Sequence, residues 1–364
     1  MKLTIAKDTL LKGLQMVQSV IASHSTLPIL YNVLLTANKD KLQLTATDLS
    51  VSIRCTLDAT VSKPGMSTVN AKRFLGIVRD LPDASVDIEI DDKNTAAINS
   101  GASSFKIFGL QADEFPPLPP FETAQTFSLE QNTLKEMLKK TAYAASIDES
   151  RQILNGILLS IRGQKLSMVA TDGRRLALIE QEVEIPGDLK IDIVIPSKTV
   201  QELIKWMGDD GIVDVKTMGH MAAFEMGDTL IISKLIEGNY PNFRQVIPAQ
   251  CEEHVMISRE GLMAALKRVA ILTNEKYSSI KVAFEKNQIL VTAVTPEIGE
   301  AKEVLPVKYT GKAMSMAFNP EFLIDPLKTL ASDEVSIELS DDLSPAVLKC
   351  DIPFLYVLMP LRLS

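Results

Sequence analysis

The sequence predicts an α+β fold of three tandem domains, each built from two similar halves of one helix plus strands. Two observations predict it. A pattern recurs at offsets of about 125 residues, in LTIAKDTLLKGL from Leu3, FSLEQNTLKEML from Phe127 and VMISREGLMAAL from Val255. Each copy has alternating residues, a polar step, then apolar positions at helical spacing. The chain also has 364 residues, 46% of them hydrophobic, which is too long for one ordinary core and enough for several.

Taken in order, each copy opens with a strand and a helix. A strand pair follows, starting at PILYNVLL, QILNGILL or YSSIKVAF and closing at LQLTATD from Leu42, LSMVATD from Leu166 or ILVTAVT from Ile289. A second helix comes next, at NAKRFLGIVRDL from Asn70, PSKTVQELIKWM from Pro196 and NPEFLIDPLKTL from Asn319. Polar residues or proline open these helices, the usual start signal. The strands SVDIEI, IVDVKT and EVSIEL complete the copies. The segments FPPLPPFETAQ from Phe115 and IPAQCEE from Ile247 read as linkers, which sets the expected domains at 1–124, 125–251 and 252–364.

Composition bounds the function. No apolar run approaches the ~18–20 residues that span a bilayer. MKLTIAKDTLLKGL mixes charges into its apolar positions, unlike a signal segment, so a cytoplasmic protein is expected, with no membrane partner. Cys55, Cys251 and Cys350 are far apart, which suits a reducing compartment and argues against disulfides or zinc. The net charge of -8 speaks against nucleic acid, but its distribution does not: the six helical segments 7–20, 70–80, 130–141, 197–206, 258–270 and 320–330 together carry +6, leaving -14 elsewhere. Positive charge is segregated onto five of the six, the footprint of a polyanion partner.

The stretch VATDGRRLALI from Val169 asks whether Asp172, Arg174 and Arg175 form a phosphate or metal site. No GxxxxGK[ST] loop, HExxH or CxxC accompanies it, and His24, His220 and His254 fall in unrelated segments. Its echo LTATDLSVSI, around Asp48, favours a polar turn with the acid capping backbone amides. A phosphate-handling enzyme using TDGRR is the alternative from a different class, and a peptide-binding scaffold that never meets DNA is a third.

Over its whole length the chain resembles the bacterial DNA polymerase III sliding clamps, the beta subunits. The resemblance rests on TLPIL with TATDL, on ILNG with ATDGRRLA and GNYPNFRQVIP, on ILTNEKY, and on the terminal YVLMPLRLS. It implies a non-enzymatic processivity factor without cofactor or metal: three tandem clamp domains closing into a ring as a head-to-tail homodimer, helices lining the hole. Expected partners are double-stranded DNA bound without sequence preference, a second copy, the replicative polymerase, the clamp loader and other clamp-motif proteins.

By the same resemblance and by helix membership, the DNA-facing residues are Lys12, Lys72, Arg73, Arg79, Lys135, Lys139, Lys198, Lys205, Lys267 and Arg268, with Arg151 and with His24 where the family has an arginine. A peptide pocket is implied from Leu154, Thr171, Gly173, Arg174, Arg175, Leu176, Pro241 and Val246 together with Asn319, Phe322, Leu343, Pro345, Val357, Leu358, Met359, Pro360, Leu361 and Arg362. Gln245 stands where the family often has a second arginine. Phe105 and Ile107 are expected to meet Ile271 and Leu272 of a partner copy. SGASSF lacks the arginines that in the family face glutamates such as Glu300 and Glu303, which leaves two alternatives: Lys106 and Arg73 substitute, or the interface is weaker.

Overall fold

The structure, a computed structural model, describes residues 1–21, 25–82, 84–185, 189–274, 278–296 and 298–362. His24 lies outside the described residues. Among these residues are six α-helices, two per repeat as the periodicity predicts: α1 (Lys7–Gln18), α2 (Ala71–Asp80), α3 (Gln131–Lys139), α4 (Ser197–Trp206), α5 (Arg259–Ala270) and α6 (Pro320–Thr329). Side-chain caps begin several of them. Asn70 accepts from the Arg73 amide, Ser258 from Gly261 and Asn319 from Glu321, each satisfying a backbone donor that the first turn leaves open.

The helices are amphipathic for the reason their spacing gives. On α2, Phe74, Leu75 and Val78 are buried while Lys72, Arg73 and Arg79 are exposed. On α5, Leu262, Ala265, Leu266 and Val269 turn inward and Lys267 and Arg268 outward. Each large apolar side chain buried this way contributes roughly 1.5–3 kcal/mol. Basic residues therefore collect on the faces that the cores do not use.

The chain forms two compact units, Met1–Leu134 with Gln201–Leu235, and Lys135–Val200 with Ile236–Ser364. The first holds a 13-stranded sheet and the second an 8-stranded and a 4-stranded sheet, with antiparallel neighbours throughout. Strands of different repeats are hydrogen-bonded side by side. In the first unit Val51–Asp58 pairs with Thr229–Lys234, and in the second Arg175–Glu182 pairs with Phe354–Leu358. The corresponding strand of the third repeat, Gly299–Pro306, is an edge of the 4-stranded sheet.

Candidate functional site

The TDGRR stretch is a turn between the strands Lys165–Thr171 and Arg175–Glu182. Thr171 Oγ1 donates to the Arg175 carbonyl at 2.6 Å and accepts from the Gly173 amide at 3.1 Å. Asp172 Oδ1 accepts from the amides of Arg174 and Arg175 at 2.8 and 3.0 Å. Gly173 has φ +87°, the left-handed region that glycine enters freely. The echo is built alike. Thr47 Oγ1 donates to the Val51 carbonyl and accepts from the Leu49 amide, and Asp48 Oδ1 accepts from Ser50 and Val51. There Leu49 takes the positive φ, at +73°. Asp172 is thus committed to the backbone of its own turn, as the sequence reading of a polar turn requires. Among the described residues no group of three or more His, Cys, Asp or Glu is placed to hold a metal.

Arg175 leads from this turn into the third repeat. Its Nε donates to Asp172 Oδ2 at 3.0 Å, its Nη1 to Asp325 Oδ2 on α6 at 2.8 Å, and its Nη2 to the Tyr143 carbonyl. The guanidinium carbon lies 4.2 Å from the Phe322 ring centroid. With its side chain only 10% exposed, the guanidinium is an internal fastener, and it is Arg174 whose side chain reaches the surface. Burial pushes the neighbouring Tyr143 and Tyr356 phenols up. Tyr356 donates to the Phe322 carbonyl at 2.7 Å, so α6, the turn and the last strand are held together around one cation.

Some of the other expected pocket residues adjoin this turn and strand, and the rest range from buried to exposed. Leu176 and Val357 pair across the strands and share an apolar cluster with Leu158, Val169, Leu178 and Val194. Leu154 and Leu358 are buried. The Met359 amide donates to the Arg174 carbonyl at 2.9 Å and the Leu361 amide to Ala317 at 2.8 Å. Past the strand end Met359 is 42% exposed, with Val246 at 49% and Leu343 at 75%. Pro241 and Arg362 are exposed, and Phe322, Pro345, Pro360 and Leu361 half-buried, while Asn319 caps α6. Gln245 is exposed beside Val246.

Further residues, not singled out in the sequence, join this apolar cluster. Ile153, Ile236, Tyr240, Phe243 and Ile247 pack on the same cluster. The signal was present in YPNFRQVI, where Tyr240, Phe243 and Ile247 recur at i, i+3 and i+7 through a 3-10 turn, Phe243–Val246. Asp325 gave no local signal, since its partner is 150 residues away.

The basic residues assigned to DNA divide by surroundings. Lys12, Lys72, Arg73, Arg79, Lys198, Lys205 and Lys267 are exposed, as is Arg151; Lys135 and Lys139 are half-buried. Lys139 lies 2.9 Å from Glu136 Oε1, and Lys205 Nζ sits 4.7 Å from the Trp206 ring centroid. Arg268 makes a two-pronged pair with Glu303, both bonds 2.7 Å. Of the expected interface residues, Ile271 is 75% and Phe105 41% exposed, with Ile107 and Leu272 half-buried.

Comparison with known proteins accounts for this arrangement. Residues 1–119, 128–242 and 244–362 match the N-terminal, central and C-terminal domains of the DNA polymerase III beta subunit. The chain belongs to the DNA polymerase III beta subunit family. It is 35% identical over 363 residues to the beta sliding clamp of Chlamydia muridarum, covering 100% of this chain and 99% of that one. With the beta sliding clamp of Pseudomonas aeruginosa it shares 34% over 369 residues, covering all of both. Two solved structures, each covered in full and covering all of this chain, are similar. They are the DNA polymerase sliding clamp of Bacillus subtilis, with TM-score 0.96 and 29% identity, and a Pseudomonas aeruginosa sliding clamp bound to griselimycin, with TM-score 0.94 and 33% identity.

Proposed function

We infer that the chain is a sliding clamp, which encircles duplex DNA and confers processivity by tethering the replicative polymerase and other DNA enzymes. The observation that carries this reading is the end-to-end match with proteins named beta sliding clamp. Exposed cations on successive helices support it. Contacts to phosphates alone are blind to sequence and sensitive to salt, so the protein can slide, and topology rather than affinity keeps it on the template. An acidic remainder discourages DNA from adhering elsewhere.

The domains are read as 1–124, 125–251 and 252–364, and closure of the ring is assigned to a second copy. Two seams within the chain join the fourth strand of one repeat to the last strand of the next, Val51–Asp58 with Thr229–Lys234 and Arg175–Glu182 with Phe354–Leu358. The remaining pair by the same rule is Gly299–Pro306 with Ser103–Leu110, which the chain leaves unmade. Ser103–Leu110 pairs fully with Thr95–Ser100 on one side but on the other only at Gly109 and Leu110. A head-to-tail dimer makes both missing seams and closes. Phe105 and Ile107 then meet Ile271 and Leu272.

Partner peptides are assigned to the surface around Arg174, Val246, Phe322, Met359 and Pro360. Flexible Met359 beside aliphatic walls suits varied apolar anchors, as a surface serving several partners needs. The membership of the DNA polymerase III family favours this over a phosphate-handling enzyme, and Asp172, held by its own turn, offers such chemistry little.

The deciding experiment is topological. The protein is loaded with a clamp loader and ATP onto nicked circular DNA, the complex is isolated, and the circle is cut once. Release only after cutting is expected of a ring that slides off the ends. Retention on the linear product would rule out encirclement.

A further inference from the structure

Resting on the ring reading, we propose that the junction between two copies has a second line of contact on the outer face of the sheet, away from the helices. There Phe108 and Lys106 of one copy meet Ile298 and Glu300 of the other.

The register follows from the repeats. Thr47 is opposite Ser52, Thr171 opposite Leu176 and Val294 opposite Glu300, so Ser52, Leu176 and Glu300 are equivalent. Likewise Ala97 is opposite Lys106, Ala223 opposite Ile232 and Val347 opposite Val357, which makes Lys106, Ile232 and Val357 equivalent. The two seams inside the chain pair Ser52 with Ile232 and Leu176 with Val357. The third therefore pairs Glu300 with Lys106. One step along each strand, Phe105 faces Ala301 and Ile107 faces Gly299. Two residues beyond Ile232 and Val357, the equivalents of Lys106, the Lys234 amide donates to the Ser50 carbonyl at 2.8 Å and the Met359 amide to the Arg174 carbonyl at 2.9 Å. Their counterparts in the third seam are Phe108 and Ile298.

The faces agree with this register, as a strand's period of two demands. Phe105 is opposite Ile98 and Ile107 opposite Ala96, both buried, so these two point toward the core side. Lys106 and Phe108 point to the other. Glu303 is opposite buried Val291 and bonds Arg268 of α5, so Glu303 and Ala301 point to the helix side and Glu300 outward. On the helix side, a Cβ built at Gly299 would lie 3.9 Å from Leu272 Cδ1, which brings Ile107 beside Leu272.

The outer line explains residues that the chain alone does not. Phe108 is 83% exposed and Ile298 52%, an aromatic side chain on a strand only partly paired on one side and an aliphatic one in the turn that leads into the edge strand Gly299–Pro306, both open to water. Covering them with each other removes both from solvent. Opposite charges directly across a seam add to its specificity. Glu303 cannot serve as the acid here, because Arg268 of its own chain holds both its oxygens. Arg268 is instead a positioning residue that fixes α5 against the edge strand.

The test is the dimer dissociation constant of the full chain, measured by sedimentation across a dilution series. Phe108→Ser is expected to raise it on the order of tenfold. Lys106→Glu and Glu300→Lys should each raise it, and the two reversals together should restore it. These side chains are exposed, and unchanged circular dichroism checks that the variants fold. A wild-type dimer whose dissociation constant does not move in Phe108→Ser, or double reversal that rescues nothing, overturns the outer line. If Ile271→Ala with Leu272→Ala breaks the dimer while Phe108→Ser does not, the ring stands and the outer line alone falls. A wild-type chain that stays monomeric at micromolar concentration removes both.

Discussion

Arg175 and Asp325, 150 residues apart in sequence, form an ion pair 2.8 Å long in which the arginine side chain is only 10% exposed. The pair joins the TDGRR turn to α6. Asp325→Ala leaves the guanidinium with Asp172 and a carbonyl but one charged partner fewer, in surroundings too dry to hydrate it. We expect a loss of about 2–3 kcal/mol. Urea unfolding measures it, and a loss under about 0.5 kcal/mol would mean the pair is in effect solvated.

The two Thr-Asp turns differ at the position with positive φ, and opposite substitutions separate the roles. Gly173→Ala places a Cβ in the left-handed region, 3.1 Å from Arg151 Nη1, and should cost about 1–2 kcal/mol. Leu49→Gly relieves the same conformation and, after the entropy of glycine is counted, should change stability by less than about 1 kcal/mol. Equal destabilisation by both would show that the turn, rather than its φ, sets the cost.

Binding at the proposed pocket should depend on the exposed apolar ends. Met359→Ala is expected to weaken a labelled peptide carrying a glutamine and bulky apolar residues on the order of tenfold, read by fluorescence anisotropy. The fold should be unchanged, since Met359 is 42% exposed. Undiminished affinity would move the site elsewhere.

Acid should erase the Arg268–Glu303 pair. The hydrogen bond from Arg268 holds the Glu303 carboxyl below its usual range, with the charge of Arg268 acting in the same sense. A depressed folded value means that the contribution is present above the unfolded pKa of about 4.3 and disappears as pH falls through the folded one. Glu303→Gln should therefore melt below wild type at pH 7, and the gap should close in acid. A gap independent of pH would assign the effect to packing.

The helices and repeats were legible because local signals agreed: caps at Asn70 and Asn319 and apolar spacing on α2 and α5 all state the same answer. The third turn was less so, since ILVTAVT keeps the strand but has Thr295 where the other copies have Asp48 and Asp172. Pairings between distant segments carried no local mark. Nothing in VSIRCTLD announces TLIISK as its neighbour, nor does Arg175 announce that it turns inward rather than to a ligand. Arg268 and Lys139 are assigned as DNA-facing by helix membership alone, and their carboxylate partners, Glu303 and Glu136, become visible only in the fold.

In the proposed ring the two closing strands, Ser103–Leu110 and Gly299–Pro306, are different from each other, so a copy damaged at one keeps the other intact. Mixed with healthy protein, it captures a sound partner at its good edge and leaves the second opening unfastened, like a bracelet with a broken clasp. A lesion at either edge thus withdraws healthy copies from use and behaves as a dominant inhibitor. One that prevents folding removes only itself and behaves as a recessive defect.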